Sequence, residues 1–358
     1  MIEKDDISSE LIFDDKRREL VIRSQKVVSP EMLDLIGRTA FGNGGTQYFV
    51  CDVADKLSPR VAAHFISLRK HGRLIGSYVL IAKMICIDEQ QYPAYYRTLL
   101  ALEASERGRG YGKLLVERTR AHFLQKLGTA GLLYGYIEAD NHRSLSVAEQ
   151  AGYESLGTFE TPIFSRMSPR DDSCARQLLE EERAAMVDLL GEQYKGHALI
   201  DFAQSVDVMN YFVLEENHTI VAGVQVEPCY WCIRRLSGVS GFLLVHIVSR
   251  VPGLRRIFDA QHCRFLRLGS LYVQPGQEPA LIRLIEAMLA RNRVSSAMTF
   301  QDPRSSVYQR VARYGRFGIL HSGVGAKVHV MATFKGASNV QHERYRQMPL
   351  LISPMDIA

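Results

Sequence analysis

The hexapeptide Arg107-Gly108-Arg109-Gly110-Tyr111-Gly112, followed by Lys113, is the part of this chain best suited to hold an anion. It stands between an apolar run ending at Leu102 and a stretch of helical periodicity, which makes it the turn at a helix start. The first N–H groups of a helix have no partner within it, and their partial positive charge favours a phosphate. Gly108, Gly110 and Gly112 let a phosphate approach the main chain, while Arg107, Arg109 and Lys113 add charge and donors. The alternative is an exposed glycine-rich turn without a ligand. The spacing is not that of a dinucleotide fingerprint, and the Gly-Lys-Ser/Thr end of a Walker loop is missing.

Proton-transfer chemistry has candidates on both sides of this loop. Glu103 directly follows the run ending at Leu102, and Glu138 ends the expected strand Leu132–Glu138, where alternation puts Tyr134, Tyr136 and Glu138 on one face. Either carboxylate can act as a base through water. The other reading is that Glu103 and Glu106 start a helix and that the tyrosines are core or rim aromatics.

These residues need a scaffold, and the pattern around them supplies one. A strand is expected at Arg18–Ile22, a short helix at Pro30–Gly37 with Ser29 as its cap, and a hairpin of Ala63–Leu68 and Leu74–Ile87 about the turn Lys70-His71-Gly72-Arg73. Thr98–Leu102 then leads into the glycine loop, and Leu114, Leu115, Ala121, Leu124 and Leu127 mark the helix after it, which ends at Gly128. Ser144–Gln150 is the next helix, and Ser155–Glu160 closes the unit.

Arg107, Gly110 and Gly112 in this setting resemble motif A of the GNAT acetyltransferase superfamily, R/Q-x-x-G-x-G/A, with Leu100-x-Leu102 as the strand ahead of it. Asn141-x-x-Ser144, the helix after it and Gly152-Tyr153 resemble that family's motif B. The resemblance covers residues 18 to 165. It implies acetyl-CoA, or another acyl-CoA, held between the strand ending at Leu102 and the strand Leu132–Glu138. The pyrophosphate would sit on the loop Arg107 to Gly112, with Lys113 beside it, the pantetheine arm along Leu100 and Leu102, and Asn141 and Ser144 would hold the other side. It also implies transfer of the acyl group to an amine. Ala148 stands where many members carry the tyrosine that protonates the departing thiolate, leaving Tyr153, Tyr136, Ser144 or solvent to do so. A non-catalytic acyl-CoA sensor or scaffold is the alternative function.

The second half repeats the order of elements. Phe65 and Gly76 in the first hairpin match Phe212 and Gly223 in a hairpin about Asn217, and Leu100-Ala101-Leu102 matches Leu271-Tyr272-Val273 before a helix at Pro279–Ala290. Glu278 falls where Arg107 does, and no glycine follows it, so no coenzyme A is expected there. Asp302 to Tyr308 and Tyr314-Gly315 look like a worn motif B. The fold class expected is α/β (α+β): two tandem GNAT-like domains, each a mixed, mostly antiparallel sheet flanked by helices. The division is a tail at 1–17, a catalytic domain at 18–165, a linker at 166–174, a degenerate domain at 175–335 and a tail at 336–358. The segment Cys229 to Cys263, with Trp231, reads as an insertion helix that completes a local core, covers the acceptor groove or forms a homodimer contact.

Composition bounds the rest. The chain has 358 residues, 46% hydrophobic and 23% charged, which describes packed soluble domains, and its net charge of +5 is too small to argue for nucleic acid. Arg234-Arg235 and Arg255-Arg256 read as solvated faces. Apolar runs are shorter than the ~20 residues of a membrane helix, so neither nucleic acid nor membrane is expected as a partner. The polar, acidic start and six scattered cysteines make a reducing cytoplasm the default. Cys229-x-x-Cys232, with His246 or His262-Cys263 as further candidate ligands, lacks the second CxxC that would make zinc convincing and reads as small buried thiols; no metal is expected. The acceptor expected is a small-molecule amine or a peptide.

Overall fold

The computed structural model describes residues 9–42, 45–57, 62–236, 238–251, 254–255, 258–318, 320 and 325–356. The first eight residues of the N-terminal stretch and Arg256 lie outside them. Two mixed, mostly antiparallel sheets with helices on their faces make up the molecule.

Two-residue turns set the hairpins of both sheets. His71 and Gly72, Asp88 and Glu89, and Asn217 and His218 all have positive φ, the geometry whose twist matches the flanking strands. The first sheet runs Glu10–Asp15, Leu20–Gln25, Ala63–Lys70, Arg73–Ile87, Gln90–Leu102, Gly131–Glu138, Lys327–Lys335, Glu154–Glu160, with Ala198–Ile200 attached to Arg73–Ile87. The second runs Ala175–Gln177, Tyr211–Glu216, Thr219–Arg235, Cys263–Val273, Ser296–Thr299, Ile163–Ser165, with Gln47–Val50 paired to Thr219–Arg235.

Both halves therefore exchange strands. Lys327–Lys335 is inserted between Gly131–Glu138 and Glu154–Glu160, antiparallel to each. In return, Ile163–Ser165 and Gln47–Val50 join the second sheet. The stretch 1–17 is not a tail throughout, because Glu10–Asp15 pairs with Leu20–Gln25. Nor is 336–358, which holds the helix Asn339–Gln347 and then runs back into the interior, where Leu350, Ile352 and Asp356 are buried. The second half opens with Ala175–Gln177, taken up by the sheet edge, and the helix Arg183–Gln193 follows it.

The duplication is visible in an irregularity shared by the two sheets. Leu99 and Leu100 together oppose Tyr78, while Ser270 and Leu271 together oppose Val224, and Leu99 and Ser270 both have positive φ. Each is a β-bulge that turns the strand away from its neighbour.

One apolar cluster spans the halves, packing Met32, Leu35, Phe65 and Leu99 with Trp231, Phe258 and Phe265. Beside it lies a buried ionic group. The Lys83 ammonium binds Asp201 at 2.8 Å and also Asp356, whose Oδ2 accepts from Tyr134 (2.9 Å) and Tyr136 (2.8 Å). Burial opposes the Lys83 charge, but Asp356 and Asp201 outweigh it and raise its pKa. Lys83→Met strands two buried carboxylates and is expected to cost about 3–5 kcal/mol in urea denaturation; a loss below about 1 kcal/mol would show the group to be dispensable. No helix among the described residues is long and apolar enough to cross a membrane.

Candidate active site

The helix Tyr111–Lys126 begins directly at Gly110, whose φ of 84° is left-handed, and no side chain caps its first turn. Gly108 has φ 83°, and a Cβ built on Gly108 or Gly110 meets no protein atom within 4 Å, so the space beside both is open. The free amides, the open flank and the cations Arg107, Arg109 and Lys113, with Lys70 over the Tyr111 ring and 3.7 Å from Glu106, fit a polyphosphate. Arg107 is fixed by donation from Nε to the Leu102 carbonyl at 3.2 Å, and Arg109 leans on Glu106 at 3.6 Å.

The strand ahead of this loop parts from its parallel neighbour. Pairing of Gln90–Leu102 with Gly131–Glu138 stops at Arg97 opposite Gly135, and the bulge at Leu99–Leu100 follows at once. Thr98–Leu102 thus presents an unladdered edge toward Tyr136, Ile137 and Glu138 across a wedge. On the far side Asn141 caps the helix His142–Gln150, accepting from the Ser144 amide at 3.1 Å.

A cavity of about 550 Å³ runs from the loop through this wedge into the space between the two sheets. Leu100, Leu102, Arg107, Gly108, Gly110, Gly112, Lys113, Tyr136, Glu138, Asn141 and Ser144 line it; Arg109, Tyr111, Glu103 and Tyr153 do not. Beyond the wedge its walls are apolar and come largely from the second sheet and its flanks, including Trp231, Phe258, Phe265, Met298 and Phe300. Trp231 stacks on Tyr48 at 4.1 Å.

The two candidate bases differ sharply. Glu103 is gripped by the Arg38 guanidinium through two bonds of 2.5 and 3.0 Å, and that contact holds its pKa below the usual range. Glu138 is pushed up to about 7, first by burial and then by the nearby Asp140 charge, and its buried Oε2 has no hydrogen-bond partner among the described residues. Gly42 (φ 78°) lies against it: a Cβ there would stand 3.4 Å from Oε2 and strike the Thr46 carbonyl at 2.2 Å. Tyr136 donates to Asp356, and burial raises its pKa well above the ordinary value, as burial also does for Tyr153. Tyr153 lies under the Arg97 guanidinium, 4.0 Å from its ring centroid. Sequence reasoning passed over Arg97 and Tyr78, which line the wedge, and Asp356, which anchors Tyr136 from far along the chain. A cation set between aromatic and apolar residues, in Tyr95-Tyr96-Arg97-Thr98-Leu99-Leu100, was the signal for Arg97; for Tyr78 and Asp356 there was none.

The equivalent edge in the second half is already used. Leu271 accepts from Gln193 (2.6 Å) and Tyr194 (2.8 Å), the Val273 amide donates to Gln193 (3.0 Å), and Arg310 donates to the Val273 carbonyl at 3.2 Å. Glu278 opens the following helix and pairs with Arg310 at 3.6 Å. Cys229 is buried and accepts from Lys56 at 3.0 Å, and among the described residues no group of three or more His, Cys, Asp or Glu is placed to hold a metal.

No protein-family model and no curated protein sequence matches the chain. Solved structures do. Saccharomyces cerevisiae N-myristoyltransferase with bound myristoyl-CoA superimposes in two structures with TM-score 0.54 at 10% identity; one match covers 92% of this chain and 83% of that one, the other 98% and 85%. A GCN5-related N-acetyltransferase from Sphaerobacter thermophilus gives 0.49 at 13% identity, covering 90% and 97%. The chain shares the two-sheet fold of the N-myristoyltransferase structures along most of its length.

Proposed function

We propose that this chain is an acyl-CoA-dependent N-acyltransferase that works through the wedge of its N-terminal half, on a small-molecule amine or a peptide. The observation that carries the reading is the union, in one cavity, of a cationic helix start with free amides, an unladdered strand edge and a carboxylate whose pKa is about 7. Residues 107–113 hold the diphosphate, the Leu100–Leu102 edge pairs with the pantetheine amides, and Asn141 and Ser144 close the other side. Acyl-CoA supplies the acyl group as a thioester: the amine nitrogen bonds to its carbonyl carbon as the carbon–sulfur bond breaks.

Glu138, rather than Glu103, takes a proton from the incoming ammonium so that nitrogen is free to attack. The extra proton then carried by nitrogen passes to the departing sulfur, which dispenses with the tyrosine that Ala148 replaces. Tyr136, tied to Asp356, shapes the wedge. The second half binds no coenzyme A and serves as a wall.

That wall supports a donor longer than acetyl, as does the myristoyl-CoA named with the N-myristoyltransferase structures. In a thiol-release assay, kcat/KM should climb by roughly fourfold for each methylene that enters the apolar chamber. Met298→Trp should remove that gain while sparing acetyl-CoA. A flat chain-length profile would return the donor to acetyl-CoA. Tight acyl-CoA binding without release to any amine would favour the sensor, the reading that Ala148 suits.

A further inference from the structure

Among its described residues, the connection between the strands Thr219–Arg235 and Cys263–Val273 holds an amphipathic surface element. It contains the helix Gly238–His246 and the turn Val248–Arg250. Its inner side, Leu236, Leu244, Val245 and Val248, packs on the cluster that includes Trp231 and Phe265. Its outer side is bare: Val239 is 78% exposed, Phe242 57%, Leu243 43%, Ile247 49%, Val251 41% and Leu254 36%. Residues 239, 243, 247 and 251 recur every four positions, with 242 beside them, so they form one stripe rather than scattered apolar contacts.

Charge says what the stripe meets. From Arg234 to Phe258 the sequence holds five arginines and no Asp or Glu, as large a surplus as the net charge of the whole chain, +5. Arg234, Arg235, Arg250 and Arg255 are exposed. The nearest carboxylate along the chain, Asp259, is engaged by Arg255 at 2.7 Å. A second copy docked through the same patch would bring two such basic rims together with no carboxylate in the segment to offset them.

We propose that this face docks on an anionic lipid bilayer, the apolar stripe entering the interface and the arginines meeting headgroup phosphates. The absence of a spanning run argues against crossing a membrane, not against lying on one. Leu236 and Phe258, at either end of the segment, line the cavity, so docking holds the cavity wall beside the phase into which apolar chains partition.

Flotation of the full chain with vesicles decides the matter. Phosphatidylcholine vesicles containing about one-third phosphatidylglycerol should carry the protein, pure phosphatidylcholine should bind at least about tenfold less, and raised salt should weaken binding. Phe242→Glu with Ile247→Glu should abolish flotation at unchanged thermal stability, and Arg235→Glu with Arg250→Glu should remove the preference for anionic lipid. Failure to float with either lipid, or flotation indifferent to both pairs of changes, overturns the proposal. So does a dimer in sedimentation that the Phe242 and Ile247 changes dissolve while vesicles never bind. Because the readout is lipid binding, it stands or falls separately from acyl transfer.

Discussion

Exchange of Glu138 for Gln is expected to lower kcat by about 10²–10⁴, the usual contribution of a positioned general base, with acyl-CoA affinity unchanged. The pH profile is the sharper readout. A base must be ionised to accept a proton, so the wild-type rate should rise with pH through about 7, where burial and Asp140 have set the Glu138 carboxyl, and the variant should lack that limb. Stability should move the other way. The carboxyl binds its proton more tightly in the folded chain, at about 7, than in the unfolded one, near 4.5. Its contribution is therefore complete below the unfolded value and is lost as pH climbs through the folded one. Glu138→Gln, which needs no such proton, should be the more stable protein above pH ~7, by up to about 3 kcal/mol on the linkage relation. Faster unfolding of the variant at pH ~8, or a rate limb that survives in it, would remove Glu138 from the role. Glu103→Gln is the control. Its partner Arg38 holds it ionised, so its loss should weaken the helix Pro30–Gly37 against the sheet and leave the limb in place.

The site and its scaffold were unequally legible. The glycine loop, the helix after it, the hairpin about His71-Gly72 and the repeat in the second half are written in local patterns: a run of three glycines, a period of apolar residues, a two-residue turn. What the sequence conceals is what joins the halves. The apolar alternation of Lys327–Lys335 suits any strand. Only the vacancy between Gly131–Glu138 and Glu154–Glu160 decides where it pairs, and long-range register leaves no local trace. The same holds for the stretch after Gln347, whose Leu350 and Asp356 look like ordinary terminal residues until Lys83 and the two tyrosines are seen around them. The different surroundings of Glu103 and Glu138 were likewise beyond reach, since Arg38, which grips Glu103, stands sixty-five residues away in the chain. That the helix start of the second half carries a carboxylate was plain from Glu278. The means by which its strand edge is closed, through Gln193, Tyr194 and Arg310, was not, because those side chains come from other elements.

Gly110→Val is expected to reduce acyl-CoA affinity by about 100-fold, which amounts to about 2.7 kcal/mol and so to the loss of one or two charge-assisted hydrogen bonds. At φ 84° a β-branched side chain is strained, at roughly 1–2 kcal/mol, so some loss of thermal stability will accompany the change. The added atoms meet no protein neighbour within 4 Å, however, and what they fill is the open space beside the helix start. Gly110→Ala separates the two effects: the backbone is strained in the same sense, while only one carbon projects toward the ligand. Its affinity should lie between those of the other two proteins. Glu278→Gln supplies the comparison from the duplicated half. The equivalent strand edge there is bonded to side chains and the helix start carries Glu278 paired to Arg310, so affinity should stay within about twofold of wild type. Titration calorimetry with acetyl-CoA and a longer acyl-CoA measures all three. Equal losses in the Gly110 and Glu278 variants would mean that both halves take part in binding the diphosphate, and an unchanged Gly110→Val would place it away from the turn altogether.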